Sequence, residues 1–187
     1  TIIENSNNSK NIIFENILFN YKNKKNIITN LNLSIKHKEF LGITGDSGSG
    51  KSTLGNLILG LIDPTNGNIK KNFSRITFVP QSVFLIDDTL LKNIAFGIDE
   101  SKIDHEHLNE CIIKSELKNF VEKLPEGLNT IVGERGIKIS GGELQRIGIA
   151  RALYPKPEMI IFDEATNSLD TKTEEKIIKI MKELKNR

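Results

Sequence analysis

The chain has no tryptophan, a single cysteine and two tyrosines among 187 residues, and aromatic residues make up only 6% of it. One cysteine excludes an intrachain disulfide and any cysteine-based zinc centre, and it is compatible with a reducing compartment. An excess of one charge is lacking too. The 26 basic and 24 acidic side chains leave a formal net charge of +2, so no global field recruits nucleic acid or an anionic membrane surface. The short basic cluster of Lys22, Lys24 and Lys25 reads as a solvated turn between strands. Long hydrophobic runs are absent: nothing approaches the roughly 20 apolar residues that cross a bilayer, and residues 1–10 are too polar for a signal peptide. There is no internal repeat and no low-complexity tract.

What is present is an ordinary globular composition, with 37% hydrophobic and 27% charged residues over a length that suits one domain with or without a small lobe. The chain opens at Thr1 without an initiator methionine and stops at Arg187 inside a helical pattern. It is therefore expected to be a piece of a longer protein, truncated at both ends.

The first part alternates. Ile12, Phe14, Ile17, Phe19 and Tyr21, followed by residues 27–35, predict antiparallel strands joined by the polar turn at residues 23–26. Residues 40–44 form a short apolar run that ends at Gly45 and reads as a buried parallel strand. Leu54, Leu57, Ile58 and Leu61 then recur at helical spacing, and Asp63, Pro64 and Gly67 end that helix in a turn. Further buried strands are expected at residues 76–79 and 159–162, with a mostly helical lobe from residue 90 to 121 between them. Thr171 and Glu174 stand in capping-box spacing ahead of Ile177, Met181 and Leu184, which share one helical face expected to pack on the sheet. Strands alternating with helices, with functional loops at strand ends, argue for an α/β three-layer core. An antiparallel sheet precedes that core and a helical lobe interrupts it.

Three motifs carry chemistry. Gly45, Asp46, Ser47, Gly48, Ser49, Gly50, Lys51, Ser52 and Thr53 fit the phosphate-loop pattern in full. Its glycines let successive backbone N–H groups converge on β- and γ-phosphate oxygens, and the following helix adds its positive end. Lys51 supplies a point charge, Ser52 is placed to ligate Mg²⁺, and Thr53 to reach the α-phosphate. Next, Asp163 and Glu164 follow four apolar residues; alone they would read as a solvated strand end, but beside a phosphate loop Asp163 suits the Mg²⁺ shell and Glu164 suits orienting an attacking water. Finally, Ser140, Gly141 and Gly142 open a helix that runs through Leu144, Ile147 and Leu153. By itself that is an N-capped helix, with free N–H groups open to an anion that something else must deliver.

With these motifs in this order, residues 12–187 resemble the ATP-binding domain of the ABC transporter family. The resemblance implies a P-loop NTPase three-layer core, an N-terminal antiparallel β subdomain and an inserted helical subdomain within one domain. Residues 12–80 and 156–187 would form the core and β subdomain, and residues 82–155, about, the helical subdomain with its Ser-Gly-Gly-Glu signature. It further implies that Tyr21 stacks on adenine, that Gln81 joins Mg²⁺ and water to the helical lobe, and that Ser168, Leu169 and Asp170 contact a facing subunit. Read alone, Tyr21 is as well an amphipathic strand residue, Gln81 a turn residue after proline, and Asp170 a helix cap. Residues 93–97 and 132–136 resemble the exporter branch, where membrane and ATPase domains share one chain; Glu134 and Arg135 would then be coupling residues.

Two departures stand out. Glu143 occupies the position where the family usually has Gln, and the family's switch histidine would follow the helix that ends near Arg187, which implies weak turnover by this stretch alone. His105 and His107 suggest a metal pair or an exposed loop, of which the loop is the plainer reading. The resemblance as a whole implies an Mg²⁺-dependent ATPase motor of an exporter at the cytoplasmic face of a membrane. Its catalytic residues would be Glu164, Gln81 and Lys51, with Ser52, Gln81 and Asp163 around the metal and ATP held by residues 45–53 and Tyr21. Its partners would be a second ATP-binding domain, head to tail, whose γ-phosphate Ser140, Gly141, Gly142 and Glu143 cover, and a membrane domain fused upstream. No nucleic acid is expected. A soluble ABC ATPase acting on ribosome or DNA is the alternative, and a non-catalytic nucleotide-binding module a third reading that intact Lys51, Asp163 and Glu164 disfavour.

Overall fold

The computed structural model describes residues 11–22, 25–134, 136, 137, 139–163 and 171–185. Glu164, the loop of Ser168, Leu169 and Asp170, Arg135, and half of the turn at 23–26 lie outside the described residues. The chain forms two compact units, one from residues 1–76 with 185–187 and one from residues 77–184.

In the first unit, β1 (Asn11–Phe19), β2 (Ile28–Lys36) and β3 (Asn66–Lys71) make an antiparallel sheet in the order β2-β1-β3. Ile12, Phe14, Ile17 and Phe19 are buried, and the odd step from 14 to 17 has a structural cause. A strand alternates with period two, so an unbroken β1 would turn Ile17 and Phe19 to the opposite face from Ile12 and Phe14. The pairing register shifts between Phe14 and Ile17, and Asn16 takes φ 54°, the left-handed region that Asn tolerates. This bulge resets the phase by one residue and returns the next two apolar side chains to the core. The Asn16 N–H, lost to the ladder, donates to Asn32 Oδ1 at 2.9 Å.

β3 was not expected from the sequence, which read this stretch as a turn. Its six residues hold one apolar side chain, Ile69, so no alternation marks it. It forms because its backbone completes the free edge of β1, a preference that resides in the partner strand. The converse holds for residues 40–44, expected as a buried parallel strand: they form no ladder, and Phe40, Leu41 and Ile43 are 54%, 41% and 44% exposed. An apolar run states a preference for burial but cannot name the hydrogen-bonding edge that a strand needs.

The helix expected after the phosphate loop is α1 (Lys51–Leu59). It ends at Gly60, whose φ of 77° lets its N–H reach back to the carbonyls of Asn56 and Leu57. Lys71 from β3 donates its Nζ to the Leu57 carbonyl at 2.8 Å, placing a cation at the negative helix end. Burial pulls the Lys71 pKa below its ordinary value, opposed by the charge of Asp63.

Apart from Ile76 and Lys185, the second unit contains β4 (Ile76–Val79), the two-residue β5 (Asp88–Thr89), α2 (Leu90–Ile94), α3 (His105–Lys114), α4 (Lys118–Val121), the two-residue β6 (Ile131–Val132), α5 (Gly141–Leu153), β7 (Met159–Phe162) and α6 (Thr171–Lys185). β4 pairs with β7, and β5 pairs antiparallel with β6. The centre is α5, buried at Gln145, Ile147, Gly148, Ile149, Ala150, Ala152 and Leu153. A helix buried on so many sides is a core helix. Leu90, Ile94, Leu108, Leu117, Ile147 and Ile177 are fully buried in the same apolar cluster, each contributing about 1.5–3 kcal/mol relative to an exposed position. α6 buries Ile177 and Ile180, and Met181 packs beside them; the side chain of Leu184 lies outside the described part.

His105 and His107 lie in the first turn of α3 rather than in a loop. Asp104 caps this helix, its side chain accepting the His107 N–H at 2.9 Å. That bond, with Lys156 nearby, holds the Asp104 carboxyl below its usual range. The His107 ring lies 5.5 Å from that of Tyr154, and its Nε2 is 3.0 Å from the Tyr154 carbonyl, to which it donates. Among the described residues, no group of three His, Cys, Asp or Glu side chains is arranged to hold a metal.

Candidate nucleotide-binding site

In the first unit the loop before α1 is shaped by its glycines. Gly50 stands at φ 98° as the N-cap residue of α1, and a Cβ there would lie 2.9 Å from Cγ2 of Ile27. Both the left-handed backbone and the close approach of Ile27 require glycine at this position. The turn is closed by Ser49 N–H to the Asp46 carbonyl at 3.1 Å, and the helix by Leu54 N–H to the Gly50 carbonyl at 2.9 Å. No acidic residue occupies the first turn of α1 and no side chain caps it. The positive end of the helix thus carries no acidic side chain of its own, which suits it to a neighbouring anion. Lys51 donates Nζ to the carbonyls of Gly45 and Asp46 at 2.8 and 3.0 Å, so the ammonium lies over the loop concavity. Ser52 is exposed and Thr53 buried. The Lys51 ammonium suits phosphate oxygens, and the Ser52 hydroxyl is a hard-oxygen donor of the kind Mg²⁺ takes.

Tyr21 is 41% exposed in the same unit, just past β1. Its ring stands edge-on to Phe19, centroids 4.9 Å apart at 88°. Phe19 thus steadies a tyrosine ring that is partly open to solvent.

In the second unit Asp163 follows directly on β7, its N–H donating to the Val79 carbonyl at 3.0 Å. Gln81 is exposed two residues beyond β4. Its carbonyl accepts Nε2 of Gln145 at 2.6 Å, which ties it to α5. Ser140 begins that same helix with a complete capping box: Glu143 N–H donates to Ser140 Oγ at 3.3 Å, and Ser140 N–H donates to Glu143 Oε2 at 2.9 Å. The Ser140 hydroxyl also donates to Glu143 Oε2, at 2.6 Å. Ser140 and Gly141 are exposed at the helix start.

Sequence reasoning missed the side chains that hold the segment after Gln81. Asn93, fully buried, donates Nδ2 to the carbonyls of Ile86 and Thr89 at 3.0 and 3.1 Å and accepts the Ile86 N–H at 3.0 Å. Arg151 on α5 donates Nε to the Asn93 carbonyl at 2.7 Å, a terminal nitrogen to Asn93 Oδ1 at 3.1 Å, and the other to the Phe84 carbonyl at 2.8 Å. Its guanidinium also lies 5.3 Å from the centroid of Phe96. Burial lowers the Arg151 pKa from its ordinary value. The available signal was a buried Asn flanked by apolar residues, which must satisfy its amide inside the core.

These elements define an α/β nucleotide-binding domain of the phosphate-loop kind. The family model described as ABC transporter matches residues 28–167. A putative export ATP-binding/permease protein of Rickettsia prowazekii is 39% identical over 194 residues, covering 96% of this chain and 33% of that protein. The mitochondrial iron-sulfur clusters transporter ATM1 of Kluyveromyces lactis is 40% identical over 184 residues, covering 92% and 25%. Among solved structures, that of a bacterial Atm1-family ABC exporter with ATP bound matches with a TM-score of 0.83 and 34% identity over 95% of this chain and 33% of that one. The chain belongs to the ABC transporter family, as its ATP-binding domain. It spans a quarter to a third of the length of these relatives.

Proposed function

We propose that this domain binds ATP with Mg²⁺ and hydrolyses it as the motor of an exporter, working as one of two facing copies at the cytoplasmic face of a membrane. The observation that carries the reading is the loop at residues 45–53, with Gly50 held left-handed against Ile27 and Lys51 lying over the concavity ahead of α1, whose first turn holds no acidic residue. In this reading both compact units serve one domain, and residues 82–155, about, act as its helical subdomain. Gly45, Asp46, Ser47, Gly48, Ser49 and Gly50 give backbone donors to the phosphates, Lys51 adds charge, Thr53 reaches the α-phosphate and Tyr21 stacks on the base. Ser52, Gln81 and Asp163 would hold Mg²⁺, which would supply positive charge to the phosphates in the reaction.

Glu164 orients a water and accepts its proton as the water oxygen bonds to the γ-phosphorus, while the bond to the bridging oxygen breaks to leave ADP and phosphate. Ser140 and the N–H groups of Gly141 and Gly142 cover the γ-phosphate held by the facing copy, so closure of the pair depends on ATP. Hydrolysis releases the pair and resets membrane domains fused upstream, with Glu134 and Arg135 near the coupling contact. Glu164→Gln in the full-length protein is expected to lower turnover roughly 10²- to 10⁴-fold with ATP binding retained. Turnover equal to wild type rejects the assignment.

A further inference from the structure

We propose that the carboxylate of Glu143 weakens ATP-driven closure of the facing pair, by holding the Ser140 hydroxyl proton and by placing a negative charge where the partner copy's phosphate must dock. The inference rests on the paired reading above and concerns the same site. One oxygen of Glu143 accepts from both the Ser140 N–H and the Ser140 hydroxyl, at 2.9 and 2.6 Å. An O–H to carboxylate bond of that length is charge-assisted and stronger than a neutral one. For Ser140 to donate its hydroxyl to a phosphate, this bond must break. An ionised carboxylate also accepts only, so Glu143 offers the incoming anion no donor.

Glutamine at this position alters the balance in three ways. Its amide oxygen still accepts the Ser140 N–H, so the capping box survives. The hydroxyl is held by a neutral acceptor and released more readily, and the amide nitrogen adds two donors. Above all, the negative charge is gone. Within the fold, that charge is favourable, because it lies in the first turn of α5 next to the positive helix end. In the closed pair the same helix end is needed by the phosphate. Glu143 thus occupies electrostatically a site that ATP must occupy across the pair, and it favours the open state.

The test is made in the full-length protein in an E164Q background, where bound ATP persists. Closure is read as the distance between spin labels on the two ATP-binding domains as ATP is titrated, comparing E164Q alone with E164Q/E143Q. The expected result is a midpoint about tenfold lower in ATP for E143Q at low salt, the size of effect that one neighbouring unit charge produces across a water-accessible contact. The gap should shrink severalfold at about 1 M salt, where the Debye length is roughly 3 Å. A change in capping alone would move the melting temperature and leave the salt dependence untouched; the melting temperature is expected to stay within about 2 °C. ATP-driven closure with the same or a higher midpoint in E143Q, or a gap insensitive to salt, overturns the role of Glu143 while leaving the paired reading in place. Absence of ATP-driven closure in every variant overturns the paired reading and this inference with it.

Discussion

Gly148 lies in the middle of α5, where replacing glycine with alanine ordinarily stabilises a helix by about 1 kcal/mol. Here the reverse is expected. A Cβ at this position would stand 2.5 Å from Cγ2 and 3.3 Å from Cγ1 of Val83, a buried and stiff side chain. Overpacking of this kind costs roughly 1–3 kcal/mol. Set against the propensity gain, Gly148→Ala should lose about 1 kcal/mol net, a drop in melting temperature of about 2–4 °C for a domain of this size. Val83→Ala removes two methyl groups and should cost about 2 kcal/mol from burial and residual space.

In the double variant the alanine methyl at 148 enters the volume that Val83 vacates. The two changes should then be less than additive by about 1 kcal/mol or more, well outside the few tenths expected of independent sites. Turnover follows the same logic: Val83 lies two residues beyond Gln81, whose carbonyl is tied to α5 by Gln145. ATP hydrolysis by the full-length protein should fall in Gly148→Ala and partly recover in the double variant. Thermal melts and a steady-state phosphate assay on four proteins suffice. A rise in melting temperature for Gly148→Ala together with strict additivity would refute the close-packing argument.

Three other expectations are independent of this one. Asn93→Asp keeps the shape of the side chain but turns a donor to the Ile86 and Thr89 carbonyls into a carboxylate oxygen facing them; denaturant unfolding should show a loss of about 2–4 kcal/mol, only partly offset by Arg151. Burial pushes the Cys111 thiol up to about 11, so its alkylation at pH 8 should proceed only through unfolding. Because the unfolded thiol titrates near its ordinary value and the folded one later, the folded state binds more protons between about pH 9 and 11. The stability difference between wild type and Cys111→Ala should therefore move against wild type as pH rises across that window. Lys51→Met should weaken binding of a fluorescent ATP analogue by at least about tenfold, since it removes the ammonium held on the loop by the Gly45 and Asp46 carbonyls; unchanged binding would displace Lys51 from the site.

Much of the site is a matter of residue type and order. The phosphate loop, the Ser-Gly-Gly helix start and the carboxylate after β7 were legible because each needs particular residues at fixed spacing within one local segment: glycine where φ is positive, a hydroxyl at an N-cap, an acid at a strand end. The capping box at Ser140 and Glu143 and the course of α1, α5 and α6 follow from the same local chemistry. So does the position of β1, although its bulge at Asn16 became apparent only once the register with β2 was known.

Local sequence could not supply what depends on a distant partner. β3 has almost no apolar pattern and exists because β1 has an edge to fill, while residues 40–44 carry the apolar pattern and form no ladder. Asn93 and Arg151 look like a loop amide and a helix charge until folding brings them together over the segment after Gln81. Gln145 shows the division most sharply. The sequence by itself determined that an amide side chain stands in the second turn of a glycine-led helix; only the tertiary structure decided that its Nε2 donates to the carbonyl of Gln81. Type and spacing are written along the chain, whereas hydrogen-bond partnership is settled by which groups are left together when water is excluded.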